Sequence, residues 1–542
     1  MEGMMKTRLV LGCFMAIILI IYANLSATNV WDELKGYKPP VVLGANDTGV
    51  PNSQIRVHKV GDTHLTVTNY GFFGSEMNPS QIDPETGLPA PSCQHPGNSD
   101  LEYLFLGGLW IGAIVEEDTL VSVGVDGWQL VHEMYPAALP DGDIIKRSNR
   151  PGDPAYDPEA ISEADYIAIY YDTLTDPTYV NPTPFDGRPH IPLNLKIRQE
   201  SYSWSGSEFE DFIIFKYVIM NLGQDTLERT FVGFYFDSDV YNSVLNYEGF
   251  NDDISGFKIA HDPIRNEDMH IAWSTDNDGD PEGDSWAAKS VRGIFGVSLL
   301  DFPVTPMTSF NWWVSSGPNP EIYDWGPMLE ANYRDFGTGG IGTPEGDCNK
   351  YYIMSNGEYD YDQIYAAIDY SADGWRPPSD PGFAAGIANG FDTRFLISFG
   401  DVDLLPDDSL IFAFVLAVGD DCHQNPGDFI DVFDAADPQP FYDALDFGDI
   451  VHDILAARNL YESISMEYVN GDANYDSEVT IADIVYLINF IFLGGEKPNP
   501  YLAGDNNCDG KVNLTDVVYL INYLFRDGNE PCDLNGDGLP DC

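Results

Sequence analysis

Basic residues are scarce in this chain of 542 residues: 26 Lys and Arg stand against 87 Asp and Glu, for a formal net charge of −61. A polyanion of this kind repels nucleic acid and anionic membrane surfaces, which argues against both as partners and makes cations the natural ones. Histidine is sparse as well, with nine residues scattered along the chain. His261 and His270 bracket one loop but lack metal-ligand spacing. The chain has no Gly-x-Ser-x-Gly elbow, no His-Glu-x-x-His and no phosphate loop, so no catalytic constellation stands out. Carboxylate pairs such as Glu208 with Asp211 fit glycosidase chemistry in principle. In a chain this acidic, such pairs are expected by chance.

Long apolar runs are missing after the first. Leu9 to Ala23 follows the basic pair Lys6 and Arg8 and leads to Leu25-Ser26-Ala27. This is the pattern of a secretory signal over residues 1–27, short for a span of about 20 residues. No membrane span is expected after its removal, and an extracellular or bacterial cell-surface location follows. Cysteine is infrequent too. Six remain after the signal: Cys93, Cys348, Cys422, Cys508, Cys532 and Cys542. An even number in an oxidising compartment suggests disulfides, and a Cys532–Cys542 pair would clasp the C-terminus.

Apolar material is ample, with 44% hydrophobic and 13% aromatic residues. The chain is too long for one ordinary core. Residues 28–465 read as one β-rich domain with room for two sub-domains. Short alternating runs rich in Val, Ile, Tyr and Trp recur at 118–131, 165–174 and 193–206, bounded by Asp, Gly and Pro. The stretch 211–240 reads as a hairpin around Asn221 to Asp225, and 393–400 with 409–419 as a second pair. Many short strands between Gly/Pro-rich loops predict a mainly β, sandwich-type fold. The long irregular stretches 77–100 and 315–347 read as ordered or functional loops. Trp312, Trp313 and Trp325 suit either a core or sugar stacking. One helix is expected over 446–464, with Ile450, Val451, Ile454 and Leu455 on one face, closing the domain.

Residues 466–542 differ in kind. "GDANYDSEVTIADIVYLINFIFLGG" (471–495) repeats as "GDNNCDGKVNLTDVVYLINYLFRDG" (504–528). A hard cation such as Ca²⁺ takes six to eight oxygens, which short acidic or amide side chains at alternate loop positions supply. The second copy offers Asp505, Asn507, Asp509, the carbonyl of Lys511, Asn513 and a closing Asp516. The first offers Asp472, Asn474, Asp476, the carbonyl of Glu478, Thr480 and a closing Asp483. Each closing residue opens an apolar helix stripe: Ile484, Leu487, Ile488 and Ile491, then Val517, Leu520, Ile521 and Leu524. In the tail, Asp533, Asn535 and Asp537 repeat the spacing as a truncated third loop. Ca²⁺ ligation and a solvated acidic tail both remain open there. In the large domain Asp276, Asp278 and Asp280 around Gly279 read as a further candidate calcium loop or a solvated acidic turn, and Asp237 with Asp239 ends a strand, either adding ligands or simply closing it.

The duplicated loop–helix pattern resembles a type I dockerin over residues 470–528. The resemblance implies a small α-helical calcium-binding domain that plugs a secreted protein into a cohesin module. The partner-contacting positions of that family hold Ile481-Ala482 and Leu514-Thr515 here, then Ile488-Asn489 and Ile521-Asn522, in place of small hydroxyl and Lys-Arg pairs. A cohesin-like module, another extracellular protein and an intramolecular partner are all open. Phrases such as "TVTNYGFFG" and "GGLWIGA" look like large uncharacterised secreted proteins of environmental bacteria. The expected function is a secreted, calcium-binding, non-catalytic structural, adhesive or assembly protein. The alternative is a polysaccharide-active glycoside hydrolase or carbohydrate-binding protein carrying a dockerin.

Overall fold

In the computed structural model the described residues are 51–531, apart from 76–80, 128–130, 138–141, 181, 183–186, 247–248, 264, 316–323, 338–340, 379, 466–469, 475–478, 496–497, 499–500, 508–510 and 527. The signal segment and the Cys532–Cys542 pair lie outside them, as do Asp476, Glu478, Asp509 and the tail residues Asp533, Asn535 and Asp537. Cys93, Cys348 and Cys422 are free thiols. No helix among the described residues is long and apolar enough to cross a membrane. The chain divides into two compact units, Met1–Leu455 and Ala456–Cys542.

The first unit is built on two antiparallel sheets. One is centred on strands Leu106–Val115, Leu227–Ser238 and Thr393–Leu404, the other on Leu195–Ser203, Phe212–Asn221 and Ser409–Gly419. Their inner faces meet through aromatic rings. Phe234 of the first sheet lies 3.9 Å, centroid to centroid, from Phe414 of the second, and Phe73 lies 5.1 Å from Phe215. Alternation along the strands places Phe234 and Phe236 in this core and turns Tyr235 to the outer face, where it stacks on Trp110 at 5.4 Å. That outer face is covered by helix Asp347–Met354, whose Tyr351 and Met354 join the second apolar cluster. Trp312, Trp313 and Trp325 are buried, so they belong to the packing.

Two expected hairpins are not hairpins. Phe212–Asn221 pairs with Leu195–Ser203 and Ser409–Gly419, whereas Leu227–Ser238 pairs with Leu106–Val115 and Thr393–Leu404. The 222–226 and 405–408 connections therefore cross from one sheet to the other. All four strands are largely buried, and strands with so continuous an apolar pattern pair with a distant neighbour as readily as with a local one. Their side chains meet across the core instead, as Tyr217 does with Phe234 at 5.9 Å. Asn221 ties the two crossings together. Its Nδ2 donates to the carbonyls of Asp225 (2.9 Å) and Leu404 (3.0 Å), and its backbone carbonyl accepts from the Asp407 N–H (2.9 Å).

The closing helix runs from Gly448 to Ser465. Ile450 and Ile454 are fully buried. Ile450 lies so close to strand Ser409–Gly419 that a Cβ on Gly419 would stand 2.6 Å from the Ile450 nitrogen. Glycine is required there for contact.

The second unit holds helices Ile481–Leu493 and Leu514–Arg526 around a small core of Ala473, Ile484, Leu487, Val512, Val517 and Leu520. The repeats pack reciprocally. A Cβ on Gly471 would stand 3.2 Å from Leu520 Cδ1, and one on Gly504 would stand 3.0 Å from Leu487 Cδ2. The glycine opening each repeat thus admits the helix of the other.

Candidate metal centres and docking face

In the C-terminal unit the closing carboxylates fold back over their loops. Asp516 Oδ1 accepts the backbone N–H groups of Asn506 (2.9 Å) and Asn507 (3.2 Å), and Oδ2 accepts that of Asn513 (2.8 Å). Asp483 repeats this with the N–H groups of Asn474 (3.1 Å) and Thr480 (2.8 Å). Thr480 and Asn513 return the bond as helix caps, accepting from Ala482 N (3.1 Å) and Thr515 N (2.9 Å). The sequence pattern assigned these four residues to the metal; their capping role is additional. Asp472, Asp483, Asp505 and Asp516 are all buried. Burial raises the Asp516 carboxyl above its ordinary range, Asp505 adds to this, and the three backbone donors oppose it. A cluster of buried, oxygen-only donors fits a hard divalent cation, which would neutralise it on binding. Asp472, Asn474, Asp505, Asn507 and Lys511 are placed in or beside these loops.

Outside the small core, both helices leave apolar side chains in solvent. On the first, Ile481 (62% exposed), Val485 (52%) and Phe492 (58%) follow helical spacing. On the second, Leu514 (54%), Val518 (47%) and Phe525 (61%) stand at the equivalent positions of the repeat. Beside the first stripe, Tyr486, Asn489, Leu493 and Gly495 line an open hollow of about 330 Å³.

In the large unit, two groups of three carboxylates each bring one oxygen per residue within 4.8 Å of the others. One is Asp276, Asp278 and Asp280, at the end of strand Glu267–Asp276. The other is Asp237, Asp239 and Asp392. Asp392 joins from the start of a distant strand, and no local signal in the sequence pointed to it. This second group carries its own cation. Arg394 Nε lies 3.1 Å from Asp237, and Arg394 Nη1 lies 3.1 Å from Asp392. Burial pushes Asp237 up to about 7 despite that arginine.

Glu208 and Asp211 lie in the turn before strand Phe212–Asn221. Asp211 faces His95 at 3.9 Å, and burial raises it to about 6. His261 is exposed and pairs with Asp268 at 3.2 Å. A pocket lined by Trp110, Asp126, Tyr235, Trp313, Lys350 and Arg394 measures only about 50 Å³. Pockets for small organic ligands are several-fold larger.

Residues 470–525 match the dockerin type I domain family. Type I dockerin domains bind calcium and cohesins, and the proteins that bear them are typically extracellular or at the cell surface. The match supports an extracellular docking module at this segment. No curated protein matches the chain. Among solved structures, a putative aldose 1-epimerase from Escherichia coli K12 aligns at 10% identity over 68% of this chain and 100% of that one. Its TM-score of 0.22 is too low for the likeness to carry an argument.

Proposed function

We propose that this chain is a secreted, calcium-stabilised, non-catalytic β protein held in an extracellular assembly by its C-terminal module. The observation that carries the reading is the pair of exposed apolar stripes on helices Ile481–Leu493 and Leu514–Arg526. Large apolar side chains at matched positions of both repeats are what a docking face requires, and exposed clusters of this kind mark interaction sites. Of these, Ile481 and Leu514 stand at positions where the dockerin resemblance puts partner contacts, and the others extend the face along each helix. The partner is therefore a protein with an apolar surface, of the cohesin type or a replacement for it. The absence of Lys-Arg pairs sets it apart from partners that read basic residues.

Calcium would be held by Asp472, Asn474, Asp476, the Glu478 carbonyl, Thr480 and Asp483 in the first loop. In the second, Asp505, Asn507, Asp509, the Lys511 carbonyl, Asn513 and Asp516 would hold it, with Asp533, Asn535 and Asp537 as a partial third set. The ion would supply the charge balance that the buried carboxylates lack, fixing the helices so that both stripes stay on the surface. A unit this small with one thin core benefits from such a staple.

The test has two arms. Purified full-length chain is assayed on a polysaccharide panel, where release of reducing sugar overturns the non-catalytic reading. It is also passed over immobilised cohesin modules with and without calcium. Calcium-dependent binding that is lost in a Val485→Glu, Val518→Glu variant supports docking through these stripes, and binding unaffected by the variant refutes it.

A further inference from the structure

Asp276 ends strand Glu267–Asp276 and opens a tight turn in which Gly279 (φ +76°) and Asp280 (φ +53°) are left-handed. One oxygen of Asp276 is spent within the turn. Oδ1 accepts the N–H of Asp278 at 2.9 Å and that of Gly279. The other, Oδ2, is buried with no hydrogen-bond partner. A buried carboxylate oxygen is costly to leave unpaired. Asp253, directly opposite Asp276 in the strand pairing, is buried as well, and its Oδ1 is also unpartnered. Asp252, next to Asp253 in the chain, completes the crowd, its carboxyl within reach of the Asp280 and Asp278 charges.

The positive charge available here is small. Lys289 Nζ lies 3.1 Å from Asp280 Oδ1 and is partly exposed. Asn246 Nδ2 donates to Asp280 Oδ2 at 2.5 Å. Five carboxylates thus stand against one ammonium. The Asp237, Asp239 and Asp392 group differs, since the Arg394 guanidinium reaches two of its three carboxylates. That arginine does with a side chain what the 276–280 turn has no residue to do.

We infer that Asp276, through Oδ2, together with Asp278 and Asp280 and with Asp252 beside them, binds a calcium ion in the large domain. The donor set is entirely hard oxygen, which selects Ca²⁺ or Mg²⁺ over softer metals. Ligand oxygens on one calcium ion, each about 2.3–2.6 Å from it, lie no more than about 5 Å apart. The three carboxylates here meet that condition at 4.8 Å. A turn crowded with carboxylates of differing reach suits the adaptable shell of Ca²⁺ better than the strict octahedron of Mg²⁺. The ion would lock a turn that already bears on two other segments. A Cβ on Gly279 would stand 3.0 Å from Trp286 and 3.2 Å from His423, and His423 Nε2 lies 2.8 Å from the Asp276 carbonyl. This site is independent of the docking module, so the two readings stand or fall separately.

Trp286 makes the site visible. A Tb³⁺ ion in the turn would sit beside that indole and be sensitised by it, whereas the chain has no tryptophan beyond Trp375. Full-length protein is titrated with Tb³⁺ under excitation selective for tryptophan, then back-titrated with Ca²⁺. Expected are luminescence that Ca²⁺ displaces and Mg²⁺ displaces poorly, a large drop in Trp286→Phe at unchanged calcium stoichiometry, and an intact signal in Asp472→Ala, Asp505→Ala. Asp278→Asn removes a half-buried ligand with little risk to folding. It should weaken Tb³⁺ binding at least about tenfold, the scale of losing even an outer-shell partner. A signal that is absent, not displaced by Ca²⁺, or unchanged in Asp278→Asn or Trp286→Phe overturns the assignment.

Discussion

Asp516→Ala should loosen the C-terminal module even when no calcium is present. The Asp516 carboxylate is buried and accepts three backbone N–H groups, two from the loop start and one from the helix cap. Bonds to a charged acceptor contribute about 1.5–3 kcal/mol each, and three on one carboxylate are not additive, so the local loss is about 3–5 kcal/mol. At about 1.4 kcal/mol per factor of ten, amide exchange across helix Leu514–Arg526 should speed up by about a hundredfold or more. Asp516→Asn should lose less. Its Oδ1 can still serve Asn506 and Asn507, while its amide meets the Asn513 N–H donor to donor. The assay is hydrogen exchange by mass spectrometry on the full-length chain in chelator, read on peptides covering 501–526. Exchange unchanged in Asp516→Ala would refute the capping argument and leave Asp516 with a metal role alone. The same variant in calcium should also fail to recover the protection that wild type gains.

Three further outcomes are expected. Val485→Glu with Val518→Glu should change the module's stability by no more than about 0.5 kcal/mol, because both positions are exposed, yet abolish docking; exchange protection and cohesin binding measured side by side check this. His190 pairs with Glu133 at 3.2 Å, and although burial works against it, the bond and charge of Glu133 raise its pKa to about 9 from 6.5. A raised folded pKa contributes stability that is fully present below 6.5 and lost as pH rises through 9, on the order of 3 kcal/mol here, and Glu133→Gln should flatten that loss in denaturant titrations. Asn221→Ala removes the two Nδ2 bonds, to Asp225 and Leu404, while keeping the backbone bond from Asp407, and should cost about 2–3 kcal/mol, seen as a lower unfolding temperature of the β unit; an unchanged temperature would mean that the crossings hold without that side chain.

The sequence carried the strand content because period-two alternation is local, and it carried the C-terminal unit because a repeat reports its own pattern. Pairing was less legible. The runs on either side of Asn221 look like a hairpin because the turn residues are right, but strands covered on both faces give the same apolar pattern whichever sheet they join. The Asp276 turn could be read from spacing, since all three carboxylates sit in five residues. Its orphaned Oδ2 and the crowding by Asp252 depend on strand pairing and could not. The Asp237 group was half visible: Asp392 and Arg394 come from a strand far along the chain. The caps of Thr480 and Asn513 were hidden because a loop ligand and a helix cap call for the same residue types.

The central claim, that residues 470–526 form a calcium-dependent module, is tested most directly by counting ions. Calcium binding to the full-length chain is measured by calorimetric titration after chelator stripping, for wild type and for Asp472→Ala, Asp505→Ala. The account predicts two fewer bound ions in the variant, with exchange protection over 481–493 and 514–526 reduced in parallel to the level of wild type in chelator. Equal stoichiometry in the two proteins, with protection of both helices unchanged by chelator, would contradict it.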